Sequence, residues 1–187
     1  MFLPGGRSSG SRRPGGYCFL VAVVLFFIVQ GLSWVRWSSV WPSAGIPVEM
    51  VLATGADKWN RAARESLDAW HQAGSNFRFT STTSSADERA SCSSAGVDRR
   101  NVVVFASTAC GDSWSSRTVA ITRVWYTSSD NLTVDADVLF NAEHDWDVYG
   151  GPVQDEAVDF RRVALHEFGH VLGLGHPDDE GQSVDAI

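Results

Sequence analysis

The stretch from His166 to His176, HEFGHVLGLGH, constrains this chain more than any other. An α-helix turns about 100° and rises about 1.5 Å per residue, so His166 and His170 lie one turn apart on one face. Both imidazoles reach a common point about 2 Å from each ring nitrogen, which sets two corners of a metal tetrahedron. Glu167 is rotated about 100° around the helix, off the ligand direction but within hydrogen-bond reach of a water at the metal, where a general base belongs. A continuous helix would carry His176 roughly 9 Å further along the axis than His170, so a third ligand requires the helix to end between them. Gly173 falls where a left-handed C′ residue stops a helix, and Gly175 frees the next step so that His176 can swing back. Three neutral imidazoles with the fourth position open make a catalytic zinc arrangement rather than a structural one, which would be closed by four protein ligands. The bland alternative, an amphipathic helix with surface histidines, leaves Gly173 and His176 unexplained.

The first 36 residues differ from the rest. Arg7, Arg12 and Arg13 precede an apolar run from Tyr17 to Val29, followed by the small residues Gly31 and Ser33. A basic n-region before a short apolar h-region reads as a secretory signal. Extended to Val35, the run reaches a length marginal for spanning a bilayer, so an uncleaved membrane anchor stays open as the alternative. Either way residues 37–187 lie outside the cytoplasm as one secreted or anchored extracellular domain. The first 36 residues carry four arginines and no acid, so the formal charge of −7 for the whole chain becomes −11 for residues 37–187. That acidity argues against nucleic acid as a partner. Cys18 lies in the apolar run, leaving Cys92 and Cys110 as a candidate disulfide in an oxidising compartment, with two free thiols as the alternative.

Residues 37–187 divide into elements by hydrophobic period. Ile46–Leu52 reads as a first strand, and Lys58–His71, with Trp59, Ala63, Leu67 and Trp70 at helical spacing, as an amphipathic helix. Phe77 and Phe79 alternate with polar residues as a second strand, before a polar loop from Ser81 to Arg100. Asn101–Ala106 is a nearly continuous apolar run suited to a central strand, and Thr118–Tyr126 and Thr133–Asn141 supply two more around a turn at Ser128–Asn131. Five strands, a helix after the first and the histidine helix make an α+β layered domain. The segment before the histidine helix is acidic, with Asp145, Asp147, Asp155, Glu156 and Asp159; Asp159 or Glu156 is placed to cap that helix. Calcium binding by these acids, or by Asp135 and Asp137, is the lesser reading; a solvated acidic face is the better one. Asn131-Leu132-Thr133 is a glycosylation sequon by pattern only.

In His166, Glu167, His170, Gly173 and His176 the chain matches HExxHxxGxxH and resembles the metzincin metallopeptidases, most of all small bacterial members of the matrixin family. The resemblance implies that His166, His170 and His176 bind one catalytic zinc and that Glu167 is the base of an endopeptidase acting through water at that zinc. It implies a twisted, mostly parallel five-stranded sheet with one antiparallel edge strand beside the cleft. Counting strands in order makes Thr118–Tyr126 that edge. A protein or peptide substrate would lie extended along Ala120, Ile121 and Thr122, pairing main chain to main chain; an ordinary interior strand is the alternative. Family members carry a Met-containing turn after the third histidine, whereas the methionines here are Met1 and Met50, so the domain reads as truncated before that turn. The His-x-Asp element of a second zinc site and an inhibitory pro-segment are not found. A different class also fits the motif: an inactive zinc-binding extracellular or membrane-tethered interaction module. Cleavage preference and oligomeric state are not legible.

Overall fold

The computed structural model describes residues 17–24, 35–36, 39–42, 48–53, 57–73, 77–84, 92 and 97–176. Its strands are β1 (Tyr17–Val24), β2 (Val35–Arg36), β3 (Val48–Ala53), β4 (Phe79–Ser84), β5 (Asn101–Ala106), β6 (Thr118–Tyr126), β7 (Thr133–Asn141), β8 (Trp146–Asp147), β9 (Val158–Asp159) and β10 (Leu174–Gly175). The two helices are α1 (Asp57–Gln72), between β3 and β4, and α2 (Phe160–Val171), which carries the first two histidines of the motif. The principal sheet has the order β1-β6-β7-β5-β3-β4.

The apolar run NVVVFA becomes a central strand because both its faces are covered. β5 pairs in parallel with β3 and β7, and β3 in parallel with β4. β6 runs antiparallel to β7, as expected for the strand beside the cleft. Val103 faces the helices while Val102, Val104 and Ala106 face a second core with Trp114, Ile121 and Leu139. Burial of these side chains stabilises each by about 1.5–3 kcal/mol for the larger aliphatic ones relative to an exposed position. The helix-side core is aromatic-rich: Phe140 and Phe160 stack with centroids 4.5 Å apart, and Phe105 and Trp146 pack around them. Small residues Ala62, Ala63 and Ser66 are buried on α1, and Ser66 donates to the Arg161 carbonyl at 3.3 Å, so the two helices approach closely. Trp59 and Trp70, expected in the core, are half-buried at its margin, where the Trp70 indole donates to the Leu165 carbonyl at 2.7 Å.

Two expectations need correction. The sheet has six strands rather than five, because Tyr17–Val24 pairs antiparallel with β6 in the register Val21 opposite Thr122 and Val23 opposite Ala120. β6 is therefore flanked on both sides and is not the edge. An apolar run without alternation suits a covered strand and a helix equally, and periodicity alone does not separate them. Among the described residues no helix is long and apolar enough to cross a membrane. Ile46, Pro47, most of the 85–96 loop and residues 177–187 lie outside the described residues, as do 25–34 of the apolar run. Cys92 and Cys110 form a disulfide with Cα atoms 4.9 Å apart, packed against the second core.

Candidate metal centre

α2 is built to bury one face. Phe160, Val163, Ala164, Glu167, Phe168 and Val171, at intervals of three and four, are all buried. Asp159 starts the helix as N-cap, its carboxylate accepting from the Arg161 amide at 3.2 Å. The other end stops where the spacing requires: Leu172 is the C-cap, Gly173 takes a left-handed φ of 86°, and its amide donates to the His170 carbonyl at 2.9 Å. A Cβ on Gly173 would lie 3.0 Å from the Ser39 carbonyl oxygen. The turned chain is then held by β10 pairing with β2, and the Trp41 indole donates to the Val171 carbonyl at 2.7 Å, satisfying one of the helix's terminal acceptors.

This ending delivers His176 to the other two histidines. The Nε2 atoms of His166 and His176 are 3.0 Å apart, and those of His170 and His166 are 3.1 Å apart. Nitrogens about 2.0–2.1 Å from a shared tetrahedral ion stand about 3.3 Å from one another, so the three rings fit a single metal. Among the described residues no other group of three or more His, Cys, Asp or Glu converges in this way. His170 Nδ1 lies 2.6 Å from the Leu174 carbonyl, which only accepts. That nitrogen therefore carries the proton, and the Nε2 lone pair is left for a metal. Burial, with the neighbouring imidazoles second, lowers the pKa of His166 to about 2; burial likewise lowers that of His170 to about 4. The neutral form that ligation needs is the resting form at neutral pH.

Glu167 is wholly buried beside the histidines. Its Oε2 accepts from the Thr122 hydroxyl at 2.5 Å, and its Oε1 is buried with no hydrogen-bond partner. Burial raises its pKa to about 8 against the lowering effect of the Thr122 bond. A dication beside it would favour the ionised form and pull the value down.

A family model described as Matrixin matches residues 49–185. The chain belongs to the matrixin family. Matrixins are zinc-dependent metallopeptidases acting on proteins or peptides, and the α+β sheet with its histidine helix agrees with that membership. Among curated proteins no match to the chain is found.

In this matrixin the other expected site residues fall in different places. Ala120, Ile121 and Thr122 all lie on β6, each at most 1% exposed, with β7 on one side and β1 on the other. The acids weighed for calcium part company. Asp147 is half-buried and paired with Lys58, and Asp159 caps α2 and pairs with Arg162 at 3.2 Å. Asp135 and Asp137, expected on a solvated face, are instead buried: Asp135 accepts from the amides of Asp98 and Arg99, and Asp137 from that of Val102. Thr122 as a partner of Glu167 went unseen, although strand parity carries the signal. Ala120 and Val124 belong to the helix-side core, so Thr122 between them must face α2 as well.

Proposed function

We propose that this matrixin is an exported zinc endopeptidase in which His166, His170 and His176 hold the metal and Glu167 is the general base. The observation that carries the reading is the convergence of three imidazole nitrogens within 3.1 Å along the chain of contacts, beside a buried carboxylate with one oxygen unengaged. Zinc held there would supply Lewis acidity, polarising the scissile carbonyl and lowering the pKa of water towards about 7. Glu167 Oε1 takes a proton from the attacking water as its oxygen adds to the carbonyl carbon, and returns it to the amide nitrogen as the C–N bond breaks. The backbone at Ala120–Thr122 would hold the extended substrate by main-chain pairing. In the structure Tyr17–Val24 takes that place. We therefore read the first 36 residues as a segment that directs export and, once removed, uncovers β6. The acidic remainder fits an extracellular domain with no nucleic-acid role.

The test is hydrolysis of an unfolded protein by the purified chain, with residues 1–36 present and with them removed. We expect one zinc per chain, activity abolished by chelator, and a loss of about 10²–10⁴-fold in the Glu167→Gln variant with zinc retained. Zinc binding with no cleavage in either form of the chain would replace the peptidase reading with that of an inactive zinc-binding module. The strand lying along β6 is the observation that favours this second reading.

A further inference from the structure

A threonine hydroxyl inside an apolar row needs a partner, since burying an unpaired polar group is unfavourable. On β6 the helix-facing neighbours of Thr122 are Ala120 and Val124, both buried in the helix-side core, and Thr122 itself has no exposed surface. Its hydroxyl has two acceptors, both on one residue: Glu167 Oε2 at 2.5 Å and the Glu167 backbone carbonyl at 3.2 Å. A valine would fill the same volume without the polar demand. The hydroxyl thus connects the sheet to the turn of α2 that carries His166 and His170, and it engages one carboxylate oxygen while leaving Oε1 without a protein partner.

We infer that Thr122 is a positioning residue for Glu167. Its hydroxyl selects the glutamate conformer in which Oε2 is held and Oε1 is presented for proton transfer. A glutamate side chain has several rotatable bonds, and among the described residues no other hydrogen bond restrains this buried carboxylate. Fixing one oxygen leaves the other with a single orientation, which is what proton transfer to a positioned reactant requires. The inference rests on the peptidase reading for its chemistry, but its geometry can be examined independently.

The experiment compares Thr122→Val and Thr122→Ser with the unchanged sequence in the full chain and in the chain lacking residues 1–36. Valine should lower kcat by about tenfold to a hundredfold, the loss expected for a reacting group misplaced by about 1 Å, with KM and zinc content unchanged. Serine keeps the hydroxyl and should restore kcat to within about twofold. Crystal structures of zinc-loaded Thr122→Val should show the Glu167 carboxylate displaced or in more than one conformer, with the histidine rings unmoved. An undiminished kcat in the valine variant, or a serine variant as slow as valine, would overturn the inference. So would a carboxylate that superposes on the original in the valine variant. If no form of the chain cleaves peptide, the peptidase reading is what fails, and the crystallographic comparison still decides whether the hydroxyl places the carboxylate.

Discussion

At the scale of single residues, the chain places titratable acids where a protein interior resists charge. Asp135 and Asp137 lie one pleat apart on β7, each 2% exposed. Burial, then the charge of Asp98, raises Asp135 to about 6; burial, then the charge of Asp135, raises Asp137 to about 8, with Arg123 opposing. Both folded values stand above the ordinary 3.8. The folded state therefore binds these protons more tightly than the unfolded chain. The stability they contribute is complete below about pH 4 and is lost as pH rises towards about 8. We expect the Tm of zinc-saturated protein to fall between about pH 5.5 and pH 8, and Asp137→Asn, which keeps the Val102 amide bond, to flatten that slope. A variant whose Tm follows the original across this range would remove Asp137 as the cause. The burial of these acids was hidden in the sequence, since aspartate on a strand is ordinarily solvated. Only the parity of TVDADVLFN, which sends Ala136, Val138 and Phe140 to the helices and both aspartates to the other face, hinted at it. The convergence of His166, His170 and His176 was legible because residue types at metal-ligand spacing, with a glycine between, form a pattern that packing does not imitate.

At the scale of elements, the site depends on where a helix ends. α2 could be foreseen from its period and its N-cap Asp159, and its end from Gly173, because a left-handed residue is the one local device that turns the chain soon enough for His176 to return. What holds the turned chain was not legible: β2, Ser39 and Trp41 are distant in sequence and carry no motif. Gly173→Ala should report on the whole arrangement. A non-glycine residue at positive φ costs about 1–3 kcal/mol, and here its Cβ must also displace the Ser39 carbonyl, 3.0 Å away. We expect a lower Tm and zinc affinity weaker by about tenfold or more, since each kilocalorie that moves His176 is taken from metal binding. Competition with a chelating dye measures the second quantity. An alanine variant with unchanged zinc affinity would show that the helix ending does not govern the third ligand.

At the scale of the whole molecule, the mixed strand directions were implied by the resemblance to the metzincins, while five strands follow from runs whose alternation and apolar content match their place in the sheet. The sixth strand does not, because YCFLVAVV lacks the alternation that would separate a covered strand from an export segment. Its position bears on the proposed function. Under that proposal, β1 pairs with the strand an extended peptide would use, so an intramolecular occupant and a substrate would compete for one row of hydrogen bonds. Competition of this kind multiplies the intrinsic affinity by the fraction of molecules with β6 free, raising the apparent Kd, and leaves the chemistry after binding untouched. Val21→Pro, opposite Thr122, removes a backbone donor from the middle of β1 and is incompatible with an interior strand. In the full chain it should lower KM by about tenfold with kcat unchanged, and removal of residues 1–36 should lower KM at least as far. If neither change alters KM, β1 does not compete with substrate in solution, and a peptide must find its place on some other strand of the cleft.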